Sequence, residues 1–194
     1  MQPTTHTEMI FIGGRSGVGK TTVVAELSRL LVLESIPHAL IEGDNLDQAH
    51  PEAWRNGVDL AEQNLAVMWR NYQAAGYSRL IFTNTVSMLQ MSALSAALGG
   101  DVHGVGVLLT SGDSVAAERP AQREIGSGLE DAVERSKAAA AAAAAAAAVK
   151  LHANASGSVH RIPTDHRTVS DIAAELVSIT GWTGPTPGGP RPSK

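Results

Sequence analysis

The residues Gly14-Arg15-Ser16-Gly17-Val18-Gly19-Lys20-Thr21 carry the chemistry of a bound triphosphate. They match the phosphate-binding loop pattern G-x-x-x-x-G-K-[ST]. Glycines at Gly14, Gly17 and Gly19 let the backbone approach phosphate oxygens closely. Consecutive N–H groups from Ser16 through Val18 to Thr22 then face an anion at a helix N-terminus. At that spacing Lys20 lies along the β- and γ-phosphates, and the Thr21 hydroxyl ligates Mg²⁺. The expected cofactors are therefore ATP and Mg²⁺.

A second group of candidates lies beyond the loop. Glu42-Gly43-Asp44-Asn45 follows an apolar run, and acids at the carboxyl end of a parallel strand lie on the ligand-binding edge. Asp44 is the candidate to orient an acceptor hydroxyl and take its proton, or else a helix cap or a water-mediated Mg²⁺ contact. Arg119 and Arg123 share a face if their segment is helical, and they suit a lid (about 113–136) that neutralises charge on a transferring phosphoryl group. His50, Trp54 and Arg55 line an acceptor pocket or are loop and core residues. Asn84 and Thr85 face the acceptor side by topology, whereas His103 reads as structural. With no cysteine and scattered histidines, no metal beyond the nucleotide's Mg²⁺ is expected.

The elements that must position these residues follow from hydrophobic spacing. Met9 to Ile12 reads as a buried strand, and Lys20 to Glu34 as a helix with Val23, Val24, Leu27, Leu30 and Leu31 on one face. His38 to Ile41 is a second strand and Leu60 to Ala75 a second helix. Arg79 to Thr83 is an apolar third strand, Val86 to Leu98 a helix, and Val102 to Leu109 a fourth strand weakened by Gly104 and Gly106. Val159 to Ile162 makes a fifth strand and Val169 to Thr180 a final helix. Ala138 to Ala148 is unbroken alanine, a strong helix former with nothing to specify packing. From Thr183 the tail is rich in proline and glycine and reads as disordered. Strands alternating with helices imply an α/β three-layer sandwich: one domain over 1–182, a five-stranded parallel sheet, helices on both faces and an arginine-bearing lid.

Composition narrows the partners. At 194 residues, 43% hydrophobic and 18% charged, the chain suits one globular domain without staples. The formal net charge of −4 argues against a broad nucleic-acid surface. No apolar run approaches the length of about 20 residues that spans a membrane. A cytoplasmic protein is expected, with ATP and a small hydroxyl acceptor as its partners.

These motifs resemble those of the small P-loop kinases of the nucleotide-kinase type. The phosphate loop, Ile36-Pro37 and the strand ending in Glu42-Gly43-Asp44-Asn45 are similar to adenylyl-sulfate kinases, with Glu42 where that family has aspartate. The likeness continues loosely through Asp59 to Asn64. Arg123-Glu124, Glu134-Arg135-Ser136 and Thr164-Asp165 are similar to gluconate kinases and chloramphenicol phosphotransferases. The resemblance implies a P-loop fold, ATP-dependent phosphoryl transfer, and Thr164 and Asp165 beside the adenine. Leu60 stands where adenylyl-sulfate kinases have an arginine, and Ala66 and Val67 lie near the positions of the later basic residues. An unpaired charged acceptor is costly to desolvate, so these departures weigh against a sulfated nucleotide.

The expectation is a small-molecule kinase acting on a sugar acid, a nucleoside or an antibiotic-like compound. The alternatives are an adenylyl-sulfate kinase proper and a P-loop ATPase or switch. Strands three and four end in Thr83-Asn84-Thr85 and Thr110-Ser111 without an acid, which counts against hydrolysis. An Asn-Lys-x-Asp guanine-reading motif is absent from the sequence.

Overall fold

The protein is seen in a computed structural model that describes residues 6–51, 53–85, 87–112 and 159–184. The expected arginine lid with Arg119 and Arg123, the alanine run and the tail beyond 184 lie outside the described residues.

The central strands carry buried apolar side chains on both faces, so helices must cover both. Strand β1 (His6–Gly13) is central. It leads through the glycine loop into α1 (Lys20–Leu33), then β2 (Ala39–Glu42) and α2 (Leu60–Ala74). Next come β3 (Arg79–Thr83), α3 (Ser87–Leu98), β4 (Asp101–Thr110), β5 (Val159–Pro163) and α4 (Val169–Thr180). The sheet order is β2-β3-β1-β4-β5, with all the pairings parallel. The chain fills one side of β1 with β2 and β3 before crossing to the other. That reversal opens a crevice at the carboxyl ends of the strands, where the loop emerges.

Alternation along β1 separates two cores. Ile10 and Ile12 pack with Val23, Val24, Leu27 and Leu31 of α1 and with Ile172 and Leu176 of α4. Met9 and Phe11 face the other way, against Leu65 and Trp69 of α2 and Leu94 and Leu98 of α3. Trp69 is fully buried, and its indole N–H donates to Thr7 Oγ1 at 3.2 Å.

Strands β1, β4 and β5 run longer than hydrophobicity predicts. β1 begins at His6 rather than Met9 because polar partners complete its amino end. Glu8 Oε2 accepts from Arg79 Nε at 2.8 Å, and the same buried guanidinium donates to the carbonyls of Gly184 and Thr183 at 2.8 and 3.3 Å. In β4, Gly104 is a packing residue and not a weak point. A Cβ there would stand 3.0 Å from Phe11 Cε2, so glycine leaves room for the ring. His103, on the same strand, is exposed, and its Nε2 lies 3.1 Å from Asp101 Oδ1. The polar segment after β2 contains two short 3₁₀ turns, Gly43–Asn45 and Ala53–Asn56.

Trp69→Ala should cost about 3–5 kcal/mol, measured as a lower urea midpoint. It removes the largest fully buried side chain among the described residues and leaves Thr7 without its indole donor.

Candidate active site

Glycine is needed where the phosphate loop leaves β1. Gly14 has φ 148°, and a Cβ on it would lie 2.7 Å from the Leu109 carbonyl oxygen. The loop is thus pressed against β4, and Val18 seals its underside as part of the core. Helix α1 starts at Lys20 with no side-chain cap on its first turn and no acidic residue there. Helix α4 contrasts with it: the Thr168 hydroxyl accepts from the Asp171 N–H at 3.1 Å. The uncapped N–H groups and positive dipole end of α1 therefore face the crevice, the arrangement that holds an anion.

Lys20 bends back over the loop. Its ammonium donates to the carbonyl of Gly14 at 2.7 Å and that of Arg15 at 3.2 Å. Burial lowers its pKa below the ordinary lysine value, and the Asp44 and Glu42 carboxylates draw it partly back. Lys20, Glu42 and Asp44 thus share one electrostatic neighbourhood at the carboxyl edge of the sheet.

The two acids are placed differently. The Thr21 hydroxyl donates to Glu42 Oε1 at 3.2 Å, which puts a carboxylate beside the hydroxyl expected to bind Mg²⁺. Asp44 lies two residues on, in the Gly43–Asn45 turn. Its Oδ1 accepts from the Thr85 backbone N–H and its Oδ2 from the Thr85 hydroxyl, each at 3.0 Å. The turn is also held by Asn64, whose side-chain amide donates to the Leu46 carbonyl at 2.6 Å. Asp44 is therefore fixed in orientation, with further lone pairs on both oxygens.

Thr164 and Asp165, far along the chain, are joined to the same edge. The Thr164 N–H donates to the Thr110 carbonyl at 2.8 Å, and Asp165 Oδ2 accepts from the Gly112 N–H at 2.8 Å. The Arg15 guanidinium completes the link by donating to the carbonyls of Ser111 and Gly112 at 3.0 and 2.7 Å. Arg15 thus ties the phosphate loop to the segment that carries Thr164 and Asp165.

Of the other candidates, Asn84 is buried at the end of β3, and its N–H donates to the Ile12 carbonyl at 3.2 Å. His50 is exposed. The side chains of Trp54 and Arg55, like Arg119 and Arg123, lie outside the description. Arg70 is exposed and donates to the Ala66 carbonyl of its own helix at 3.3 Å.

Sequence reasoning passed over Arg15 and gave Glu42 no role. Arg15 stands at a variable position of the loop pattern and carries no signal of its own. Glu42 was legible in principle, since the strand-end argument for Asp44 applies to it equally. Strands three and four lack a terminal acid, but β2 places one against Thr21.

Sheet order, loop and carboxyl-edge crevice define a P-loop nucleoside-triphosphate fold. More particularly, the chain has the fold of the small P-loop kinases. It is similar to a sugar kinase from Janibacter sp. HTCC2649, with TM-score 0.57 and 16% identity over 89% of this chain and 93% of that one. It is likewise similar to a gluconokinase from Sinorhizobium meliloti 1021, with TM-score 0.55 and 16% identity over 92% and 93% of the two chains. A shikimate kinase from Acinetobacter baumannii, solved with shikimate, gives TM-score 0.51 and 16% identity over 91% and 93%. No protein-family model matches the sequence, and no curated protein does. At such identities the likeness is one of fold.

The lowered Lys20 pKa makes stability depend on pH. Unfolded, the amine keeps its proton up to its ordinary value near 10.5; folded, it releases it earlier. Between those values the unfolded chain holds more protons, so stability rises with pH. Urea unfolding at increasing alkaline pH should therefore show wild type gaining stability relative to Lys20→Met. A constant difference would mean that Lys20 is not buried at a cost.

Proposed function

We propose that this protein is an ATP-dependent kinase that transfers the γ-phosphoryl group to a hydroxyl of a small metabolite. The observation that carries this reading is the placement of two carboxylates around one buried lysine. Glu42 stands at the Thr21 hydroxyl and Asp44 stands apart from it, pinned by Thr85. A nucleotide site alone needs the first; the second suits an acceptor.

Phosphoryl transfer relies on positioning and charge neutralisation. In this reading Gly14 through Thr22 cradle the phosphates, and Lys20 swings from the loop carbonyls to the β- and γ-phosphate oxygens. Thr21, with Glu42 behind it, would hold a Mg²⁺ ion, which would supply positive charge to offset that of the phosphates. Asp44 accepts a hydrogen bond from the acceptor hydroxyl, aligns its oxygen with the γ-phosphorus and takes the proton late in transfer. Thr85 keeps the carboxylate from rotating away. Arg119 and Arg123 are assigned to the charge developing on the transferred group, and Thr164 and Asp165 to the base side of ATP.

The acceptor class follows from charge. Glu42 and Asp44 make this part of the crevice acidic, which disfavours a doubly anionic acceptor unless cations offset it. A sugar acid, a nucleoside or an antibiotic-like compound fits better than a sulfated nucleotide. The similar folds of a gluconokinase, a sugar kinase and a shikimate kinase support a hydroxyl acceptor.

A second reading, a P-loop ATPase, is favoured by Glu42, because a strand-end acid at the metal site is what hydrolysis also needs. An ATP-consumption screen over sugar acids, polyols, nucleosides, aminoglycosides and adenylyl sulfate separates the two. The kinase reading expects consumption that rises with one acceptor class. Consumption indifferent to every acceptor selects the ATPase.

Lys20→Ala should abolish turnover and weaken ATP binding. Asp44→Asn should leave ATP affinity close to wild type while lowering kcat by roughly 10²–10⁴-fold. Near-normal transfer in Asp44→Asn would remove it from the chemistry.

A further inference from the structure

The end of the sheet opposite the phosphate loop carries a cluster that the kinase reading does not use. His6 begins β1, and Asp101 and His103 lie at the start of β4. Parallel pairing sets His6 beside Asp101 and Glu8 beside His103. Residues two apart on a strand share a face, so His6, Asp101 and His103 project to the same side. His6 Nδ1 lies 3.3 Å from Asp101 Oδ2, and His103 Nε2 lies 3.1 Å from Asp101 Oδ1. The imidazole rings meet edge to face, with centroids 4.6 Å apart. One ligand atom from each residue falls within 4.8 Å of the others, and all three residues are exposed.

We propose that His6, Asp101 and His103 form a divalent transition-metal site suited to Zn²⁺. Two imidazoles and a carboxylate are borderline donors that suit Zn²⁺, whereas Mg²⁺ prefers oxygen ligands and retains its waters. Zinc bonds of about 2.0–2.2 Å place neighbouring tetrahedral ligands roughly 3.3–3.5 Å apart. The His6 and Asp101 atoms already stand at the lower end of that spacing. Closing the three ligand atoms from within 4.8 Å of one another to that spacing falls to exposed side chains, which can shift without disturbing the core. The backbone ladder between β1 and β4 holds the donors close before any ion arrives, so little ordering remains to be done on binding. Exposure leaves the fourth position to water. An ion there would clip the start of β1 to the start of β4, stabilising the folded chain at the cluster's end of the sheet. The crevice at the carboxyl edge plays no part in the assignment, so it stands or falls independently of the kinase reading.

Calorimetric titration of the nucleotide-free full chain with ZnCl₂ tests the site, paired with thermal unfolding with and without zinc. The expected result is one zinc per chain and a higher unfolding midpoint with zinc. His6→Ala, Asp101→Asn and His103→Ala should each weaken zinc binding by more than about tenfold, and MgCl₂ should give no comparable binding. Metal-free unfolding midpoints close to wild type show that lost zinc binding is not lost folding. No saturable binding of zinc overturns the proposal. So does zinc binding that persists unchanged in all three folded variants, because other histidines would then hold the ion.

Discussion

A buried ammonium beside an anion-binding loop is the constraint on which the rest depends. Lys20 is 8% exposed, and a charge so placed is tolerable only with hydrogen bonds and opposite charges around it. Two loop carbonyls supply the bonds, and the field of Glu42 and Asp44 supplies the charge. A bound triphosphate would offer the lysine stronger partners than the carbonyls do. Both acids must therefore be close to Lys20 and yet held apart from each other's task. The 3₁₀ turn after β2 does this, turning Glu42 toward Thr21 and Asp44 toward Thr85.

The scaffold keeps these short distances constant. β1 is flanked by β3 and β4 and sandwiched between two cores, so the loop leaves a strand with little freedom to move. Contact between Gly14 and the Leu109 backbone fixes how the loop departs. Arg15 then extends that rigidity sideways to Gly112 and, through it, to Asp165. The two ends of the sheet show opposite chemistry for a geometric reason. Parallel strands gather their carboxyl ends, with the helix N-termini that follow, on one edge. The other edge collects the strand beginnings, where Glu8 pairs with Arg79 and His6 with Asp101.

Much of the fold was legible in the sequence because its signals are local. The bounds of β3 and α4 coincide with the hydrophobic pattern, and the glycine loop announces itself by spacing alone. Where the reading fell short, a neighbouring strand changed the meaning of a residue. Gly104 read as a weakness until the Phe11 ring was placed against it, and the polar residues His6 to Glu8 fell outside the expected strand until Arg79 and Asp101 paired with them. The site was legible unevenly. Asp44 stood out by position, whereas Glu42 carried the same signal, and only its distance to Thr21 distinguishes its role.

By itself, then, the sequence determined the strand–loop–helix unit, the alternation of strands and helices, and the carboxylates after β2. Those depend on residues within a turn or two of one another. Tertiary structure alone decided which distant residues meet: Thr21 with Glu42, Asp44 with Thr85, Gly112 with Asp165, and His6 with Asp101 and His103. Each meeting follows from the order and register of strands in the sheet. Those are set by the packing of two cores, which no local spacing records.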